Sequence, residues 1–159
     1  MMEDIAFRLQ RLEDIEAIKQ LKARYFRALD TRNWQLMESC LKVTCKARYD
    51  NGKFSLDGRD AIIQFFRETI GDHRIILQHH GHHPEISLID EKNASGIWYL
   101  QDLVMDPANH IKIQGAGFYD DCYEKINGRW LICCTGYQRT YEMTEQKSQV
   151  TVRVNDSIQ

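Results

Sequence analysis

Four of the six histidines fall within five residues, in the stretch Gln78-His79-His80-Gly81-His82-His83-Pro84-Glu85-Ile86. Imidazoles at this density can hold a divalent metal, supply one general base, or form a polar rim without chemistry. Side chains alternate faces along a strand, so His80 and His82 share one face and His79, Gly81 and His83 the other. Two histidines at i, i+2 with a carboxylate such as Asp102 have the donor types of a metal site. Such sites favour sulfur and well-separated ligand pairs, and no second cluster completes this one, so no metal is expected.

The base reading needs a carboxylate beside the ring, because that partner fixes the tautomer and favours the protonated imidazole. Asp102 is one candidate: a tight turn at Glu91-Lys92 brings it directly or diagonally opposite His79. Asp30 is the other. It closes a long amphipathic helix, where the negative end of the helix dipole disfavours its charged form, and burial there makes it a better base once ionised. The bland alternative for Asp30 is a surface residue opening the turn Asp30-Thr31-Arg32-Asn33-Trp34. Gly81 and Pro84 invite a bulge that exchanges the faces, so the strand pattern leaves His79 and His80 both open as the inward residue.

Tyr25 precedes Asp30 by five residues, about 500° around a helix, so the two do not share a face. Periodicity places Tyr25 in the core, and it meets Asp30 in one pocket only if the helix ends there and Asp30 turns inward. Trp98, Phe65, Phe66, Phe118 and Tyr119 are the aromatics expected to line or back a cavity, most of them as core. Trp130 reads as structural.

The elements that must position these groups are legible from periodicity. Leu9, Leu12, Ile15, Ile18, Leu21, Tyr25 and Leu29 form a helical stripe running up to Asp30, with a candidate break near Leu12–Asp14. A second helix fits Asn33 to Leu41, with Thr31 or Asn33 as cap. Val43 to Tyr49 reads as a strand followed by an Asn51-Gly52 turn. Ile62, Phe65, Phe66 and Ile70 make one face of a third helix ending at Gly71. Beyond it lie four long strand-like stretches, Arg74 to Ile89, Ala94 to Met105, Ile111 to Ile126 and Arg129 to Tyr141, joined by short turns. Helices followed by long antiparallel strands predict an α+β fold: a curved sheet with helices over one face, its concave side a pocket wherever side chains do not fill it.

The chain has 159 residues, so one domain is expected, over residues 1–142, with a polar tail at 143–159 that frays or pairs with a neighbouring subunit. Lys+Arg 21 against Asp+Glu 23 gives a net charge of −2 with both signs interspersed, which argues against nucleic acid as a partner. No apolar run approaches the roughly 20 residues of a membrane span, and acids occupy the N-terminus where a signal peptide has a basic region. The five cysteines read as small buried hydrophobes in a reducing, cytoplasmic setting.

The segments "LKARYFRALDTRNW", "QHHGHHPEI", "ASGIWYLQD" and "GAGFYDDCYEKINGRWLI" together resemble the SnoaL-like branch of the nuclear transport factor two-like superfamily. The likeness runs from about Leu12 to about Tyr141 and rests on the order and spacing of the pieces. It implies a cone of highly curved sheet with about three helices, in agreement with the periodicity. Members of the family include scytalone dehydratase, bile-acid dehydratase and hexachlorocyclohexane dehydrochlorinase, which are cofactor-free lyases using an Asp–His pair on mostly apolar ring substrates.

Carried over residue by residue, the resemblance implies Asp30 and His79 as that pair. It implies Tyr25 as the tyrosine that assists dehydration, Asp102 as a further acid, and Arg139 as an arginine of the last strand that lines the pocket. His80 and His82 depart from the dehydratase pattern and are further pocket candidates, with Trp98, Phe65 and Phe118. The expected activity is a cofactor-independent dehydratase-like lyase, or an isomerase or cyclase, acting on a small apolar cyclic molecule. The alternative is a non-catalytic small-molecule binding member of the superfamily. Relatives imply a homodimer or homotrimer through the outer sheet face, with Ile97, Tyr99 and Leu103 as contact material.

Overall fold

The computed structural model describes residues 2–146. In chain order the elements are α1 (Met2–Asp30), α2 (Trp34–Cys40), β1 (Leu41–Tyr49), β2 (Phe54–Asp57), α3 (Arg59–Ile70), β3 (Ile76–Leu88), β4 (Asn93–Asp106), β5 (Ile111–Ile126) and β6 (Arg129–Gln146). The α+β architecture read from periodicity is the one observed. The tail from residue 147 onward lies outside the described residues, and β6 continues past Tyr141 to Gln146.

α1 is continuous, without a break near Leu12–Asp14. Its apolar stripe is buried only in its second half: Ile18, Leu21, Tyr25 and Leu29 are core, whereas Leu9 and Leu12 are 55% and 64% exposed. The helix is tied to the β5–β6 hairpin at Asp14, whose carboxylate accepts from Lys125 Nζ at 2.6 Å and Trp130 Nε1 at 2.9 Å. α2 begins where Asn33 accepts the Leu36 N–H at 2.9 Å, which satisfies one of the donors every helix start leaves over. α3 buries Ile62, Ile63 and Phe66.

The six strands form one sheet in the order β2-β1-β6-β5-β4-β3. β1 runs parallel to β6, and the other pairings are antiparallel. Register shifts in β3–β4 and at two places in β5–β6 bend the long strands, since each bulge adds local twist. α1 packs against β3, and α3 against β1 and β2. The enclosed core joins α1, α2 and α3 to the inward residues of the sheet, among them Trp98, Leu100, Tyr119 and Tyr123.

The cysteines differ in part from the sequence expectation of free thiols. Cys122 and Cys134 lie directly opposite each other on β5 and β6, their Cα atoms 4.8 Å apart, and are joined as a disulfide. That separation lies within the range a disulfide spans. Cys40, Cys45 and Cys133 are free. Among the described residues, no helix is long and apolar enough to cross a membrane.

Candidate active site

α1 ends at Asp30 beside β3, and one carboxylate there engages His79 twice. Asp30 Oδ1 lies 2.6 Å from the ring Nδ1, and Oδ2 accepts the His79 main-chain N–H at 3.0 Å. A carboxylate can only accept, so Nδ1 carries the proton of that bond and Nε2 is the ring nitrogen turned away from Asp30. The pair is neither sealed nor open: the side chains of His79 and Asp30 are 12% and 24% exposed. Phe26 stacks on the His79 ring, with centroids 6.1 Å apart and planes 5° from parallel.

The bulge in β3 settles which histidines point inward. The register runs unbroken from Ile76 to His82 and shifts between His82 and Glu85, where His83 takes a left-handed φ of 45°. The shift therefore falls after His82, and simple alternation holds from His79 to His82. His79 is opposite the buried Asp102, whereas His80 is opposite the exposed Gln101 and His82 the exposed Tyr99. His80 and His82 thus lie on the outer face, their rings 5.4 Å apart, with His80 bonded to Gln78. Gly81 faces inward, and a Cβ there would lie 2.5 Å from the Phe26 ring. A glycine is what lets β3 approach α1 closely enough for Asp30 to reach His79.

Tyr25 does not meet Asp30. Its hydroxyl bonds that of Tyr49 at 2.8 Å deep in the core. Burial, first of all, pushes both phenols well above the usual tyrosine range, and the nearby negative charge of Asp121 adds to it. Both are therefore protonated over the whole working range. Tyr119 and Tyr137 continue the aromatic wall, with ring centroids 5.3 Å apart.

Asp102 points inward and gives both carboxylate oxygens to Arg139, at 2.6 and 2.7 Å. Arg139 Nε lies a further 3.1 Å from Glu142. The hydrogen bonds it donates to Asp102 raise the guanidinium's pKa despite its burial. Arg139 also sits over the Tyr137 ring at 5.1 Å. The arginine is committed to protein carboxylates, and Asp102 is held as an ion-pair partner beside the strand position of His79.

The remaining sequence candidates separate. Trp98 is buried on the inward side and donates to Tyr123 at 2.8 Å. Phe65 is half-buried among Tyr49, Phe54 and Phe66. Phe118 is 43% exposed and packs edge-on against the equally outward Tyr99, so it belongs to the outer face. Among the described residues, no group of three or more His, Cys, Asp or Glu side chains is arranged to hold a metal ion.

Sequence reading missed the buried centre behind the site. Lys22 and Asp121 are both 0% exposed, with Nζ 2.7 Å from Oδ2. Tyr123 and Thr135 also donate to Asp121, at 2.8 and 2.7 Å. Nζ lies 3.6 Å from the Tyr119 ring centroid and 4.7 Å from that of Tyr25, a cation–π arrangement. Burial lowers the lysine's pKa, and Asp121 opposes that shift. The signal was available: Lys22 falls four residues after Ile18 and three before Tyr25, on the apolar stripe itself.

A curved sheet with helices across its concave face is the nuclear transport factor two-like fold, here with a carboxylate–imidazole pair at the end of α1. The chain belongs to the SnoaL-like domain family, which matches residues 10–135. Among solved structures it is similar to a candidate scytalone dehydratase from Novosphingobium aromaticivorans, with 21% identity, TM-score 0.77, and 91% of this chain and 92% of that one covered. It is similar to the hexachlorocyclohexane dehydrochlorinase LinA-type3 from Novosphingobium barchaimii, at 16% identity and TM-score 0.80, covering 91% and 99%. A protein from Catenulispora acidiphila in complex with S-DNPA matches at 17% identity and TM-score 0.69, covering 80% and 94%. At these identities the likeness is one of fold.

Proposed function

We propose that this chain is a cofactor-independent lyase, dehydratase-like, or an isomerase or cyclase, acting on a small and largely apolar cyclic molecule. The observation that carries this reading is the double grip of Asp30 on His79, at 2.6 and 3.0 Å. In this reading Nε2 of His79 removes a proton next to an activating group, and Asp30 balances the imidazolium that forms. The C–O bond to the leaving group then breaks. Its oxygen takes a proton from the Tyr25–Tyr49 couple, and the proton on His79 later replaces it.

Two hydroxyls hold two protons and share one hydrogen bond, so the couple has one O–H left to donate. Tyr25 is fully buried and Tyr49 nearly so, so the substrate reaches them only as the aromatic wall parts around it. The Asp102–Arg139 pair supplies a fixed dipole beside the base. Water exclusion by the surrounding rings strengthens each of these electrostatic interactions. The lyase activities named for the structural neighbours agree with this chemistry.

The test is turnover of a panel of neutral cyclic alcohols and halides by the wild type, His79→Ala and Asp30→Asn. Loss in both variants is expected. An identified substrate turned over equally well by both would overturn the mechanism and favour a binding module. The outer sheet face, with Ile97, Tyr99 and Phe118 exposed, is proposed to pair subunits into a homodimer or homotrimer.

A further inference from the structure

The turn after α1 contains an arginine that the mechanism above does not use. Arg32 has a left-handed backbone, φ 55°. It occupies the helix-closing position that usually falls to glycine: Asn33 N–H bonds Ala28 O at 2.9 Å and Arg32 N–H bonds Leu29 O at 3.1 Å. A long side chain there carries a conformational cost, and an outlier of this kind points to work done by the side chain. That side chain is half-buried and spends its donors on main-chain carbonyls of three segments. Nε donates to Ile70 O at 2.7 Å, Nη2 donates to Ile75 O, and Nη1 lies 3.5 Å from Asp30 O.

Those three acceptors frame the site. Asp30 ends α1, Ile70 ends α3, and Ile75 immediately precedes β3, four residues before His79. Asp72, the nearest other carboxylate in the intervening loop, is occupied by Arg74 at 2.7 Å. We propose that Arg32 is a positioning residue: its guanidinium clasps the start of β3 and the end of α3 to the end of α1, so that the Asp30 carboxylate meets both the ring and the main chain of His79. This rests on the reading of Asp30–His79 as the working pair. Planarity matters, because one fork reaches two carbonyls in fixed directions, which an ammonium cannot reproduce.

The experiment uses the full chain and needs no substrate. A short His–Asp hydrogen bond gives a low-field imidazole N–H resonance in proton NMR, assigned by its absence in His79→Gln. In Arg32→Gly, which suits the left-handed backbone, that resonance should move upfield or vanish, and exchange of the His79 amide should rise about tenfold. Millimolar guanidinium should restore both. Arg32→Lys, which keeps charge and stem, covers the case in which the glycine variant does not fold, and should show the same loss. An unchanged resonance and unchanged His79 exchange in the folded variant would overturn the proposal, whatever happens to its melting temperature. If Arg32 variants disturb the resonance while Asp30→Asn leaves turnover intact, the clasp stands and the lyase reading falls.

Discussion

Asp30 fixes His79 at two points with one carboxylate, the ring through Nδ1 at 2.6 Å and the strand through its N–H at 3.0 Å. The first bond sets the tautomer. The second sets where the ring stands relative to α1. An isosteric amide at position 30 can still accept one of these bonds, but it cannot balance an imidazolium charge. Asp30→Asn is therefore expected to lower kcat by about 10²–10⁴-fold with a smaller change in KM, and His79→Ala to remove activity. Steady-state kinetics on an identified substrate decides this, with circular dichroism to establish that both variants fold.

The Tyr25–Tyr49 couple makes a prediction that does not depend on substrate. Removing one hydroxyl leaves the other buried without its partner, and that costs about 1–3 kcal/mol. Removing both replaces a polar pair by two rings of nearly the same shape. Tyr25→Phe and Tyr49→Phe should each destabilise the fold, and the double variant should lose less than the sum of the two. Urea denaturation of the four proteins gives the coupling directly. Additivity within error would mean that the hydroxyls do not share a bond in solution.

How far the sequence could be read follows from the range of the signals involved. Local periodicity found the helices and all four long strands, because the stripe around Tyr25 and the alternation along β4 are properties of short windows. That His79 and Asp102 lie near each other was within reach, because one tight turn brings the two strands together; their direct pairing also needs the register shift between His82 and Glu85. The position of the β3 bulge was not within reach, since Gly81 and Pro84 are each compatible with it. It falls after His82, which sends His80 and His82 outward. Arg139 was found by resemblance alone, and its commitment to Asp102 depends on register across two strand pairs. Long-range partners such as Tyr49 for Tyr25, or Asp121 for Lys22, have no local signature beyond a polar residue on an apolar face.

Lys22 and Asp121 are both wholly buried, with 2.7 Å between their charged atoms. Deleting one charge strands the other in the core, so Lys22→Met and Asp121→Asn should each cost about 3–5 kcal/mol. The double variant removes both charges and should recover a large part of that loss. Because Nζ stands against the Tyr119 and Tyr25 rings, the single variants should also alter the near-ultraviolet circular dichroism of the tyrosines. Single variants as stable as the wild type would show that the pair contributes nothing to the fold.

Asp14 links acid stability to the anchoring of α1. Its burial works against ionisation, but hydrogen bonds from Lys125 and Trp130, with Gln10, more than offset it and hold the carboxyl below its ordinary value. A group whose pKa is depressed by folding adds stability above its unfolded value, about 3.9 for aspartate. That contribution is lost as pH falls through the folded value. Asp14→Asn should therefore be less stable than the wild type at neutral pH, and the gap should close as the solution is acidified below about pH 4. The other carboxyls held low, Asp72, Asp90 and Asp106, are present in both proteins and cancel in the comparison. Trp130 donates directly to Asp14, so its fluorescence reports the same titration from within the folded state. A stability gap that stayed constant from neutral to strongly acidic pH would show that Asp14 is not the group that couples α1 to proton binding.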